Sequence, residues 1–274
     1  MGLSLKDFAA YVIEKFFDFL LSLINGALKP FLDLVKKFMS EPVKLSVFVE
    51  SWAIIVYILS MFYGLLLVFI GLRLIVSGES AEQREKSKRS LRNTIIMMIL
   101  IQGSYHLYSV IIDISAALTK TMLNLTGSSF FKITLSSYSS FGFELVLSVI
   151  YLIVLLITLL LLVFRYIFVS SGVLFFVIGI FMYFIGPLNQ YGRLIVNCLL
   201  TLIFLPFFYS IIFLSSSKLL NIDSLINYKT LIMIGAFTLV ILITCIMVLF
   251  VIVKAALKVA GPVGQVAKVV GYVS

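Results

Sequence analysis

An apolar stretch from Thr94 to Leu118 includes Gln102, His106, Ser109 and Asp113 among its polar side chains. They recur at i, i+4, i+7 and i+11, so one helix puts all four on a single face. Ionisable groups inside a membrane-length helix are costly, and they turn toward a bundle interior or toward water. Two roles fit such a stripe. It forms a wet pathway or gating contact, or it fixes packing through interhelical hydrogen bonds. Asp113 lies toward one end of the stretch, where it can also reach water directly.

Other reactive side chains do not assemble into a known chemistry. His106 is the only histidine, so it cannot anchor a metal site alone. Cys198 and Cys245, the only cysteines, lie in separate apolar runs without a CxxC, which predicts neither disulfide nor structural metal. Ser170-Ser171-Gly172 offers hydroxyls with no histidine at a matching depth. A glycine-rich phosphate loop and an acidic metal cluster are both missing. The expectation is a non-enzymatic protein without catalytic residues, cofactor or metal.

Charge is concentrated elsewhere. Residues 77–93, SGESAEQREKSKRSLRN, hold Arg84, Lys86, Lys88, Arg89 and Arg92 between two apolar runs. Glu82–Lys86 and Glu85–Arg89 are i,i+4 pairs with the acid first, the favourable order on a helix. Ser80 with Gln83 matches a capping box, so a helix restarts there. The segment reads as an extension of the second span that fixes orientation, or as a docking site for a cytoplasmic ATPase or anionic lipid.

The elements that must carry these groups follow from composition. The chain has 274 residues, 62% hydrophobic and only 12% charged, with a mean hydropathy of +1.20. A soluble domain carries about 25% charge. Several runs reach the ~20 apolar residues that cross a bilayer. This excludes a soluble fold and predicts an all-α, polytopic transmembrane helical bundle; a β-barrel would alternate in ~10-residue segments. The net charge of +9 bears first on topology and anionic lipid.

Residues 1–46 read as amphipathic interfacial helices and 47–274 as the transmembrane domain. Residues 4–25 place Leu5, Phe8, Val12, Phe16, Phe19, Leu20 and Leu23 on one face and Asp7, Glu14 and Asp18 on the other. Asn25-Gly26 is expected to stop that helix. A second covers 30–40, with Pro30 at its first position and Phe31, Leu34, Val35 and Phe38 on its apolar side. The acids in the first helix argue against a signal peptide, and Lys6 argues against myristoylation.

Spans are expected near 51–76 and 94–118, then from about Phe143, near 194–215 and near 231–253. Ser60, Gly64 and Gly71 on the first suggest a close helix neighbour. Residues 119–143 read as the longest polar connection, with Asn124-Leu125-Thr126 a glycosylation triplet. The apolar run from Leu145 to Ile185 admits two divisions. A turn at Arg165-Tyr166 gives six spans in all. A long helix to Ser171 followed by a short 173–186 segment gives five spans plus a re-entrant segment. Gly261-Pro262 is expected to break the last helix.

Orientation favours the second division. The basic 77–93 connection belongs in the cytoplasm by the positive-inside rule. The N-terminal helices are then external, and only an odd span count places Arg193 and the lysine-rich tail inside. Arg165 then lies near the cytoplasmic face and snorkels there. Glu144, at the outer end, is the nearer neighbour of the stripe.

Residues 165–213, RYIFVSSGVLFFVIGIFMYFIGPLNQYGRLIVNCLLTLIFLPFFYSIIF, resemble the TrbL/CedA family. Its members are polytopic inner-membrane components of type IV secretion systems, including the archaeal DNA-import branch. The shared pattern is an arginine late in a span, a short apolar segment, a proline, a Gly-Arg turn and a further span holding a proline. Here these are Arg165, Pro187, Gly192-Arg193 and Pro206. Gly179 stands where many members have a proline. The resemblance implies an oligomeric channel or scaffold in the cell membrane. It also implies small pilin-like subunits and a cytoplasmic ATPase as partners, with DNA as the transported substrate. The competing classes are a secondary transporter, which calls for internal repeats with paired broken helices, and a pilus assembly platform.

Overall fold

In apolar surroundings each backbone N–H and C=O must be bonded internally, so long apolar runs close their own ladders as helices. The computed structural model describes residues 5–76, 81–127, 130–132, 141–222, 225 and 228–271, and within these all side chains except 5–10, 13, 14, 17, 18, 21, 141–145 and 255–271. Among the described residues the chain is all helical. The order is α1 (Leu5–Ser40), α2 (Val49–Val76), α3 (Ala81–Gln102), α4 (Ser104–Thr126), α5 (Phe141–Phe184), α6 (Asn189–Leu219) and α7 (Lys229–Gly271). Short 3-10 turns at Ser46–Phe48 and Gly186–Leu188 lead into α2 and α6. Four helical segments are long and apolar enough to cross a membrane: Ser46–Val76, Val146–Phe184, Gly186–Leu219 and Lys229–Lys254. α3 and α4 pass the same test only when taken together, and they are bent by 64° at their junction, so four or five helical segments are of spanning length. The protein is therefore an all-α, multi-pass membrane protein.

Two compact units divide the chain. The first comprises Met1–Glu41, Ser115–Arg165 and Leu205–Ile246. Its core is aromatic. Phe131 and Phe213 rings lie 5.7 Å apart, Phe213 and Phe237 4.8 Å, and Tyr151 and Phe237 5.6 Å. Leu28, Leu32, Val35 and Met39 of α1 are buried at helical spacing. The second unit comprises Pro42–Ile114, Tyr166–Phe204 and Met247–Ser274. Ile101, Tyr108, Val169, Val173, Val177 and Ile203 make its fully buried centre. Here backbones approach closely. A Cβ on Gly192 would lie 2.6 Å from Gly179 O and closer still to Tyr183 N, so only glycine fits where α6 starts along the end of α5. A Cβ on Gly172 would meet the Tyr108 hydroxyl and, at 2.7 Å, Leu199 Cδ2.

Several expectations need correction. α1 is one helix through Asn25-Gly26 and Pro30; glycine weakens a helix by only about 1 kcal/mol, and the buried row Leu28, Leu32, Val35, Met39 holds its second half in place. That row shifts the expected apolar side: Val35 is buried as expected, whereas Leu34 is exposed and Phe31 and Phe38 are half-buried. In the first half, Val12, Phe16, Phe19 and Leu23 are exposed, while Asp7, Glu14 and Asp18 fall outside the described side chains. Residues 94–118, expected as one straight span, are divided at Gly103 between α3 and α4, which are bent by 64°. The polar connection is shorter than expected, since α4 continues to Thr126 and ends at Gly127 with a positive φ of 78°.

α5 corrects both divisions of the 145–185 run. It is continuous over 44 residues, about 66 Å at 1.5 Å per residue. There is no turn at Arg165-Tyr166 and no break at 170–172, so the expected 173–186 segment is not separate: it is the end of α5, which stops at Phe184 before the Gly186–Leu188 turn. The serines do not interrupt it, because Ser170 and Ser171 Oγ each donate to Ile167 O at 3.0 Å. Helix α7 likewise passes through Gly261-Pro262. Gly64 and Gly71 of α2 have nothing within 4 Å, so the close approach expected there occurs instead at Gly172, Gly179 and Gly192. Ser80 of the expected capping box lies outside the described residues.

Candidate functional site

The stripe begins where α3 ends. Gln102 closes α3, Gly103 is the junction, and His106, Ser109 and Asp113 follow on α4. The 64° bend therefore interrupts the expected single face: His106, Ser109 and Asp113 remain in helical register, and Gln102 belongs to the other arm. The cause is local. Ser104 Oγ donates to Ile101 O at 2.7 Å, and Gly/Ser pairs and serine back-bonding bend helices. Trp52 Nε1 donates to Ser104 Oγ at 2.9 Å, so α2 clasps the bend. The Trp52 ring also lies 5.6 Å from that of Tyr105. Backbone bonds persist across the junction, from Gly103 N to Ile99 O and from Leu107 N to Gly103 O, both 3.0 Å.

The two faces of α4 differ. Ser104, Tyr108 and Ile112 are buried. Tyr108 is fixed by its hydroxyl, which donates to Val169 O on α5 at 2.7 Å, and its ring lies 5.1 Å from Phe176. Gln102, His106 and Asp113 are exposed, and Ser109 is half-buried. The stripe thus points out of the core of its unit. Sequence reading picked the exposed polar face and missed the buried one. The available signals were the Gly103-Ser104 pair inside a span and a tyrosine, whose hydroxyl needs a partner when buried.

Arg165 is corrected too. It is buried rather than snorkelling, 8% exposed, and its Nη1 donates to Phe38 O of α1 at 3.4 Å. Tyr209 is within electrostatic reach of it, and the Tyr209 hydroxyl is hydrogen-bonded to Thr244 Oγ1. Pro206 is buried inside α6 without ending the helix. In the other unit, Pro187 sits in the Gly186–Leu188 turn, where Asn189 Nδ2 donates to Tyr183 O. Arg193 is exposed with its guanidinium 5.4 Å from the Tyr183 ring centre. The Glu144 side chain lies outside those described.

Arg84, Lys86, Lys88, Arg89 and Arg92 are all exposed on α3. Lys86 Nζ is 2.6 Å from Glu82 Oε1, the expected i,i+4 pair. Asn124 and Thr126 fall in the last turn of α4, where Thr126 is buried and bonds Met122 O. Among the described residues no three His, Cys, Asp or Glu side chains gather to hold a metal ion. No family model, curated protein or solved structure matches this chain.

Proposed function

We propose that this chain is a non-enzymatic channel or scaffold subunit of a conjugation-like, type IV secretion-related DNA-transfer machine, and that it works as an oligomer. The observation that carries the reading is the exposed polar face at the α3–α4 bend. Gln102, His106 and Asp113 belong to a segment long and apolar enough to span, yet they point outward from the single chain. Such groups are stable in a membrane only against protein or water. The chain alone is therefore incomplete, and a neighbouring subunit or a water-filled path beside it completes it. DNA as the substrate, small pilin-like subunits and a cytoplasmic ATPase rest on the TrbL/CedA resemblance of residues 165–213.

The same reading sets the topology. Five crossings are α2, the α3–α4 pair, α5, α6 and α7. With the basic stretch cytoplasmic, α1 is external and the end of α7 is internal. The unbroken α5 supports an odd count, and so does the Pro187 turn, which lies beside the basic start of α3. The transporter rival calls for matching broken helices in two halves; the described residues hold one break, at Gly103.

Imaging of the protein purified in mild detergent tests the proposal. A symmetric ring with the α4 stripe covered or lining a central path supports it. A monomer with a closed midplane substrate pocket contradicts it. Cysteine labelling at Lys268, after replacing Cys198 and Cys245, tests the topology: external labelling contradicts five crossings.

A further inference from the structure

A cleft of about 430 Å³ opens in the second unit between the end of α2, the start of α3 and the Gly186–Leu188 turn. α2 and α3 pack against each other and are joined by residues 77–80, so they run in opposite directions. Arg73 from α2 and Lys86 and Arg89 from α3 are the cations of the lining. Ser90, Asn93 and Thr94 follow on α3. Leu66 and Phe69 from α2, Met97 from α3, and Phe184 give it an apolar wall. From Arg73 to Leu66 the helix rises about 10 Å. Cations, hydrogen-bonding groups and an apolar wall thus share one cleft within roughly the depth of a lipid headgroup region.

Charge complementarity selects the occupant. Among the described residues no carboxylate lines the cleft. Lys86 is partly neutralised by Glu82, which leaves Arg73 and Arg89, both exposed, as the main cations. Arginine forks match phosphate oxygens in paired hydrogen bonds. The apolar wall continues onto the exposed face of α2 through Phe69, Leu65 and Phe62. A free phosphate would use only the cations, whereas an amphiphile uses the apolar wall as well. Basic pockets between membrane helices are a recurrent site for anionic headgroups.

We infer that this cleft binds the headgroup of an anionic phospholipid, with Arg73 and Arg89 holding the phosphate, Ser90 and Asn93 the glycerol oxygens, and the acyl chains running along Phe69 and Leu65. The bound lipid ties the end of α2 and the start of α3 to the α5–α6 turn. The inference does not depend on the DNA-transfer reading.

The test uses the full chain, stripped of lipid in mild detergent and supplied with phosphatidylglycerol, phosphatidylcholine or inorganic phosphate. Native mass spectra should show retained phosphatidylglycerol, and only that lipid should raise the thermal midpoint. R73Q/R89Q should weaken retention about 25-fold, from roughly fivefold per cation, while R73K/R89K keeps most of it. R84Q/R92Q removes equal charge outside the cleft and should change retention less than about threefold, because exposed charges at a distance are screened. Equal losses in the two glutamine pairs would overturn the cleft in favour of general surface charge. Equal stabilisation by phosphatidylcholine or by inorganic phosphate would overturn the anionic lipid. If R73Q/R89Q does not fold in phosphatidylcholine, S90F decides by the same readout: it fills the cleft without removing charge and should abolish retention, and undiminished retention refutes the site.

Discussion

In the unit that holds α1, ring meets ring: Phe130, Phe131, Phe213, Phe237 and Tyr151 stack edge and face through its centre. In the unit that holds α2 and α3, backbone meets backbone at Gly179 and Gly192, and hydroxyls and an indole N–H close polar contacts at Ser104 and Tyr108. The first kind of core is forgiving, because an aromatic cluster can shift as side chains change. The second is not, since a glycine contact has no side chain that can yield. Both exposed features with chemical potential, the stripe at the α3–α4 bend and the cationic cleft, belong to the glycine-packed unit. Rigid backbone contact is what holds such groups in fixed positions. In the aromatic unit Arg165 is the one buried charge among the described residues, and it is turned inward to Phe38 O.

This contrast can be broken most sharply at Gly192. Gly192→Ala puts a methyl group against Tyr183 N and Gly179 O. Backbone cannot move aside cheaply, so the loss should exceed about 3 kcal/mol, the upper end for overpacking, read as the unfolding midpoint in detergent. Next comes Phe237→Ala in the aromatic unit. In lipid the transfer of apolar surface contributes little, so the cost is mainly the cavity, about 2 kcal/mol. A larger effect for Phe237 than for Gly192 would reverse the comparison. Tyr108→Phe removes the bond to Val169 O and should cost about 0.6 kcal/mol, the average for a hydrogen bond between membrane helices. Smallest is Gly64→Ala, which meets open space and should stay within about 0.5 kcal/mol.

Much of the helical layout was legible. The first span was expected at 51–76 and α2 is Val49–Val76, because hydropathy and the polar flank at 77 coincide. The bend at Gly103 was hidden by the stripe itself, whose i, i+4 spacing reads as one unbroken face. The continuity of α5 was hidden by the bilayer rule: ~20 residues suffice to cross, so a longer apolar run invites a cut that its sequence does not contain. Phe130 and Phe131 were lost inside a serine-rich connection, although two adjacent phenylalanines there signal a return to the core. Arg165 was placed by depth alone, and its partner Phe38 O is 127 residues away in sequence, beyond any local pattern.

The central claim is that the α4 stripe is covered by protein or water in the working assembly. A nitroxide at position 106, in a background lacking Cys198 and Cys245 and reconstituted in vesicles, reports this directly through its accessibility to oxygen and to a water-soluble nickel complex. The account predicts either high nickel accessibility, from a wet path, or low accessibility to both reagents with an immobilised label, from a subunit contact. A mobile label with high oxygen and low nickel accessibility would place His106 in lipid and contradict the account.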